Sequence, residues 1–377
     1  MPHTAINYDR LLSTFLELAQ ISSPSRREGA IVRRILEILQ NLGAQVTVDT
    51  SAERLGGESG NVIARFPGAI DAPPLLFNAH LDTVEPTEQL RIRLHDETIT
   101  SDGATILGAD DKAGVAAIIE MLRAVQESGL PHPPLEIVFT VAEEIGLMGS
   151  MVLDYGLLTA KVGFVADSGG NIGRIIHRAP AQKNVKFTVH GRACHAGIAP
   201  EKGVNAIAVA AQAITNIRQG RLDAETTANI GIIHGGKATN IVPDTVEVVG
   251  EARSRDPQKL AAQVAHMRQA FTAAAAAMGA TVDIEETDIY AAFNLDPASR
   301  PVQLAARALD ALGIVPIVEA TGGGSDANFF NAHGIEAVIL STGMSNAHGH
   351  DEVLNLDQFH LLAQWLYQIV RVAGETA

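Results

Sequence analysis

Leu75-Leu76-Phe77-Asn78-Ala79-His80-Leu81-Asp82-Thr83 decides how this chain is read. The mostly apolar run at 75–78 is long enough for a strand covered on both faces, and it gives way at once to His80 and Asp82. The same grammar recurs at 135–141, 162–166 and 337–340, apolar runs followed by polar residues, and 61–66 is a further short apolar run. Helical periodicity fills the stretches at 112–128 and 301–312 between them. Upstream, Leu11, Phe15 and Leu18, then Ile31, Ile35 and Ile38, predict amphipathic helices over 8–20 and 27–43, the second stopped by Gly43. This alternation predicts an α/β fold, a mixed and mostly parallel sheet with helices on both faces.

Residues 180–292 follow another pattern. Val185, Phe187 and Val189 alternate, a helix is predicted over 203–218, and strands follow at 228–234 and 245–252. A second helix is predicted over 257–278, and Val282, Ile284 and Glu286 begin a last strand. The order β-α-β-β-α-β is that of a split, ferredoxin-like α+β unit. With 377 residues the chain exceeds one compact core. The expected organisation is a catalytic domain of 1–179 and 293–377 interrupted by an inserted domain of 180–292.

The net charge of −15 argues against nucleic acid or an anionic membrane as partner. Cys194 is the single cysteine, which excludes an intrachain disulfide and fits a reducing compartment. The sequence has no apolar run of about 18 residues. Its first 20 residues read as an amphipathic helix rather than a signal peptide, so the cytoplasm is the expected location.

The chemistry-bearing residues follow the predicted strands. His80 and Asp82 lie in LLFNAHLDT, Asp110 and Asp111 in ILGADDKAG, Glu143 and Glu144 in IVFTVAEEIG, Asp167 in VGFVADSGG and His348 in STGMSNAHGHDE. Sites in open α/β sheets lie beyond the carboxyl ends of strands, so residues far apart in sequence can converge there. Imidazoles and carboxylates together suit zinc, cobalt or manganese without a thiolate. Adjacent glutamates are ordinarily a solvated helix face, but Glu143-Glu144 directly follows an apolar strand, where two like charges are costly unless a cation compensates them. Asp111 has a second reading as a helix cap, and His350 competes with His348. GGGSDAN, residues 322–328, lacks the ending of a phosphate loop and is not a nucleophile elbow.

NAHLDT, GADDKAG, EEIG, ADSGG, GGGSDAN and AHGHDE, in that order, resemble the co-catalytic dizinc exopeptidases, a family that includes peptidase T, bacterial glutamate carboxypeptidase and aminoacylases. The resemblance spans essentially the whole chain and is strongest toward the peptidase T branch, through GADDKAG, GRACHAG, ATNIVPD and GGGSDAN. It implies two divalent ions, zinc first, with cobalt or manganese as alternatives. His80, Asp110 and Asp167 would hold one ion, Asp110, Glu144 and His348 the other. Asp82 would orient the His80 ring, and Glu143 would be the general base. By the same resemblance His195 reaches the active site of a partner subunit and stabilises the oxyanion, which implies a homodimer joined through the inserted domain. Asn240 and Arg253 would bind substrate carboxylate or carbonyl groups, and Gly323 and Gly324 would bring main-chain amides to the substrate. The expected function is a metal-dependent exopeptidase acting on short peptides, most specifically a tripeptide aminopeptidase. The alternatives are a dizinc carboxypeptidase, an N-acyl-amino-acid amidohydrolase, or a catalytically silent metal- or peptide-binding protein. The connection between His80 and Asp110 is short for the peptidase T branch, so the substrate-facing surface is expected to differ there.

Overall fold

A computed structural model describes residues 5–375. The chain divides into two compact units, one of residues 5–177, 295–320 and 325–375, the other of 178–294 and 321–324.

The first unit is built on a mixed sheet. Its strand order is Gln45–Val48, Val62–Phe66, Leu135–Thr140, Leu75–His80, Val162–Ser168, Glu336–Ser341 and Arg174–Ala179. The four strands from Leu135–Thr140 to Glu336–Ser341 run parallel to their neighbours within that set, and the flanking pairings are antiparallel. Every residue of Leu75–His80 and Leu135–Thr140 is buried, as expected for strands covered on both faces. The predicted mostly parallel sheet is therefore present, although the edge strand Gln45–Val48 and the antiparallel strand Arg174–Ala179, which also pairs with Ile317–Ala320, were not legible as apolar runs. The helix Ala109–Ser128 packs on the sheet and against the helices Tyr8–Ala19 and Leu356–Glu375. The largest fully buried side chain, Trp365, donates its indole N–H to the Ala305 carbonyl at 2.9 Å, so its polar edge is satisfied within the core.

A smaller sheet of Met344–Ser345, Val353–Asn355, Thr98–Ser101 and Ile92–Leu94 joins the connection after His80 to the segment around His348. The short linker noted in the sequence is thus a hairpin paired with the last strand of the chain.

The second unit is an antiparallel sheet in the order Gly220–Arg221, Thr226–Gly235, Thr245–Ser254, Ala181–His190 and Thr281–Tyr290. The helices Ala206–Asn216 and Pro257–Met278 pack on it, giving the predicted β-α-β-β-α-β succession. Both helices start on side-chain caps, with Asn205 accepting from the amides of Ile207 and Ala208 and Asp256 from those of Gln258 and Lys259. Phe187 stacks on Phe271 at 3.8 Å between ring centroids within the unit's own core. Among the described residues no helix is long and apolar enough to cross a membrane.

The end of strand Leu135–Thr140 is bracketed by Asn61, whose Oδ1 accepts the Val141 N–H at 3.1 Å while Nδ2 donates to the Gly149 carbonyl at 3.0 Å. A Cβ at Gly149 would collide with the Val141 carbonyl oxygen and with Asn61 Oδ1. Gly149→Ala is therefore expected to lower stability by about 3 kcal/mol, the upper range for overpacking a filled site, measurable by chemical denaturation. An unchanged denaturation midpoint would show that the bracket yields freely.

Candidate active site

The four parallel strands deliver their polar residues to one edge of the sheet. His80 closes its strand, and its Nδ1 lies 2.8 Å from the main-chain oxygen of Asp82. With that nitrogen turned to a carbonyl, Nε2 is the ring atom that faces the site. Nε2 stands 3.2 Å from Asp110 Oδ1 and 3.9 Å from Asp167 Oδ1. His348 approaches from the other side, its Nε2 at 3.2 Å from Asp110 Oδ2 and 2.9 Å from Glu144 Oε2. Asp110 thus sits between the two histidines with one oxygen toward each.

Ligand-type atoms of His80, Asp110 and Glu144 lie within 4.8 Å of one another, as do those of His80, Asp111 and Asp167. Asp111, which the sequence left as a helix cap, is fully buried. One of its oxygens accepts the His80 N–H at 3.3 Å and the other the Gly114 N–H at 3.2 Å. Both Asp111 oxygens therefore hold main chain, and one of them anchors the backbone of His80.

Electrostatics explain what this cluster requires. Burial, reinforced by the charge of Asp110, pushes the Asp167 carboxyl well above the usual range. Burial does the same to Glu143, with His80 opposing it and Asp167, Asp326 and Glu144 adding to it. Asp110 goes the other way: burial would raise it, but hydrogen bonds from His348 and His80 outweigh that and hold it low. His348 is raised to about 10 by its hydrogen bonds to Asp110 and Glu144. Among the described residues, Glu144 Oε1 is buried and takes no hydrogen bond. A set of imidazole nitrogens and buried carboxylates, one oxygen of it unsatisfied, fits divalent cations, which would relieve the repulsion that protons otherwise relieve.

The Glu143–Glu144 turn is held by its amides. Ala142, at φ 52°, donates its N–H to Glu28 Oε1 at 3.0 Å. Glu143 and Glu144 donate theirs to the two oxygens of Asp82 at 2.9 and 3.1 Å, and the Ser25 hydroxyl adds a bond of 2.6 Å to Asp82. Asp82 thus meets the His80 ring nitrogen through its main-chain oxygen at 2.8 Å and through Oδ1 at 3.7 Å, while its carboxylate also fixes the glutamate pair. Asp326, buried beside the site, accepts from the Thr140 hydroxyl. Glu28, Asp326 and Thr140 were missed in the sequence. Asp326 stood within the quoted GGGSDAN motif, whereas Glu28, in a loop at the start of a helix, carried no local signal.

The remaining sequence candidates lie in the second unit. His195 pairs with Ile241, and the Ala196 N–H donates to the Asn240 carbonyl at 2.9 Å, so the loops of His195 and Asn240 are adjacent. The His195 Nδ1 accepts the Gly197 N–H at 3.1 Å, which leaves Nε2 as the outward nitrogen. Arg253 spends two of its donors on Glu251, with both bonds at 2.9 Å, and reaches the Tyr290 hydroxyl at 3.4 Å. Two of its donors are thus engaged by the neighbouring carboxylate on its own strand. The Gly323 amide donates to Thr321 Oγ1 at 3.2 Å, and a Cβ at Gly324 would strike the Tyr290 ring. Gly324 is thus required by close packing, and the Gly323 amide is engaged within its own loop.

Residues 76–372 match the pattern of peptidase family M20/M25/M40. The chain belongs to that family. It is similar to the YqjE protein of Bacillus subtilis (strain 168), with 38% identity over 98% of this chain and 100% of that one. It is also similar to the solved structure of aminopeptidase PepT from Bacillus cereus ATCC 10987, at 40% identity, a TM-score of 0.89 and coverage of 98% and 99%. The tripeptidase SAV1512 of Staphylococcus aureus subsp. aureus Mu50 superposes with a TM-score of 0.94 at 37% identity, covering 98% of this chain and all of the other. The chain is accordingly a peptidase T-like metallopeptidase.

Two outcomes follow for this M20 enzyme. Asn at position 82 offers one acceptor for two amides, so Asp82→Asn is expected to lose about 1–3 kcal/mol of stability and most of the turnover. Retention of both, by melting and peptide hydrolysis, would remove Asp82 from this role. Burial pushes the Glu28 carboxyl up to about 7. Between its ordinary value and 7 the folded chain holds a proton that the unfolded chain releases, so stability falls as pH rises through that window. Glu28→Gln should therefore gain in melting temperature relative to wild type on going from pH 5 to 8, and a pH-independent difference would contradict it.

Proposed function

We propose that this enzyme removes the first residue from short peptides, tripeptides above all, with two divalent ions, zinc foremost, held by His80, Asp110, Glu144, Asp167 and His348. The observation that carries the reading is Asp110, placed with Oδ1 toward His80 and Oδ2 toward His348, each at 3.2 Å. A carboxylate shared by two ions needs that arrangement. His80 and Asp167 would complete one position, Glu144 and His348 the other. Ions bound there would polarise the scissile carbonyl and acidify water. Glu143, whose amide is pinned by Asp82, would take the proton from the attacking water and deliver it to the leaving amine. The names borne by the Bacillus cereus and Staphylococcus aureus relatives support an aminopeptidase acting on tripeptides.

His195 is proposed as a donor to the oxyanion in the active site of a second copy, with the second unit as the dimerising element. Asn240 is proposed to bind substrate beside it, and Arg253 to contribute the donor that Glu251 leaves unengaged. The cytoplasm is the proposed location, in line with the lone cysteine.

The test is hydrolysis by metal-loaded protein of a free tripeptide, its N-acetylated form, its C-terminally amidated form and an N-acyl amino acid. Release of the first residue from the free tripeptide, refusal of the N-acetylated form, loss of activity on chelation and its return with zinc, cobalt or manganese are expected. Glu143→Ala should cut turnover by about 10²–10⁴-fold with both metals retained. Activity that survives chelation would overturn the metal assignment, and cleavage restricted to the N-acyl compound would move the enzyme to an amidohydrolase.

A further inference from the structure

The loop that carries His348 ends in Glu352, a fully buried carboxylate that no step above uses. Its Oε2 accepts the amides of Leu107 and Gly108 at 2.9 and 2.7 Å, and its Oε1 accepts the amide of Asp110 at 2.9 Å. Three main-chain donors of one turn converge on one side chain 242 to 245 positions away. That turn is where the backbone departs from helical geometry. Gly108 adopts φ 76°, Asp110 φ −82° and ψ 103°, and Asp111 φ −120° and ψ 30°. Amides in such a turn at a helix start have no carbonyl of their own to bond, and an anion satisfies them most strongly.

Glu352 is itself fixed from behind. His350 Nδ1 donates to the Gly103 carbonyl at 2.9 Å, and Leu354 pairs with Ile99 of the hairpin that follows His80. Lys112, buried in the same helix start as Asp110, donates to the Ile21 carbonyl at 2.7 Å. Burial pushes the Glu352 carboxyl up, and the amides of Asp110, Gly108 and Leu107 work against that shift.

We infer that Glu352 is a positioning residue that sets Asp110 against His348, holding the shared carboxylate with one oxygen toward each histidine before any ion binds. This rests on the reading of Asp110 as the shared ligand. Because Glu352 and His348 belong to one loop, the bond from the Asp110 amide to Glu352 fixes the main chain of one ligand relative to that of another. A residue that only stabilised the fold would leave metal affinity unchanged in the folded protein. Glu352 instead sets that affinity.

The experiment uses the full chain stripped of metal and titrated calorimetrically with Zn²⁺ and with Co²⁺, for wild type, Asp110→Asn and Glu352→Gln. Wild type should take up two ions, and Asp110→Asn should lose tight binding of both. Glu352→Gln keeps the volume but turns an amide –NH₂ toward at least one of the three donors. It is expected to bind metal about 10–100-fold more weakly and to shift the visible Co²⁺ absorption, while KM for a peptide at saturating metal stays unchanged. A folded Glu352→Gln with wild-type affinities and spectrum would overturn the inference and leave the Asp110 reading intact. Wild type without metal affinity, or Asp110→Asn with full affinity, would overturn both. If Glu352→Gln does not fold, Glu352→Asp replaces it, with the carboxylate drawn back by one methylene. Faster amide exchange at Leu107, Gly108 and Asp110 together with weakened metal binding would support the inference, and unchanged affinity would overturn it.

Discussion

The repulsion among buried carboxylates at the end of the central sheet governs how the rest of the first unit is built. Asp110, Asp111, Glu143, Asp167 and Asp326 are brought together with little water to screen them. Two responses are visible. One is a pair of histidines on either side of Asp110. The other is the diversion of carboxylates onto main-chain amides, by Asp82 to the glutamate turn and by Asp111 to His80 and Gly114. The acidic residues thus divide into those that face the site and those that hold the backbone carrying it.

The second group explains how loops achieve the rigidity of strands. Strand ends place His80 and Asp167 directly, but Glu143, Glu144 and His348 lie past the last hydrogen bond of their strands. Ala142 and His348 both adopt φ above +50°, a conformation that costs energy outside glycine. Such residues keep their shape only where surrounding contacts over-determine it, and the bonds from Glu28 and Asp82 to the amides at 142–144 provide that.

Much of this was legible in the sequence because burial on both faces leaves a local trace. Strands such as Leu135–Thr140 read as apolar runs, and the polar residues that end them stand out against that background. Outer strands such as Gln45–Val48, largely exposed, leave no such trace. The partners of the acidic residues were not legible, since Glu28 and Ala142 meet across 114 positions and Thr140 and Asp326 across 186. Asp82 shows the finer limit: its proximity to His80 followed from spacing, but which of its oxygens serves the ring depends on where the loop at 142–144 falls. The pairing of Glu251 with Arg253 was within reach, because residues two apart on a strand share a face.

The sheet order has a consequence for how the enzyme is made. Glu336–Ser341 lies between Val162–Ser168 and Arg174–Ala179, so a strand from late in the chain completes a sheet begun by early ones. The second unit, whose contacts are largely confined to 178–294, can fold while the polypeptide is still emerging. The first cannot close until that late strand arrives, and the residue after it that faces Asp110, His348, follows later still. During synthesis the older half of the enzyme therefore waits, its acidic edge unfinished, for the newest part of the chain to seat it.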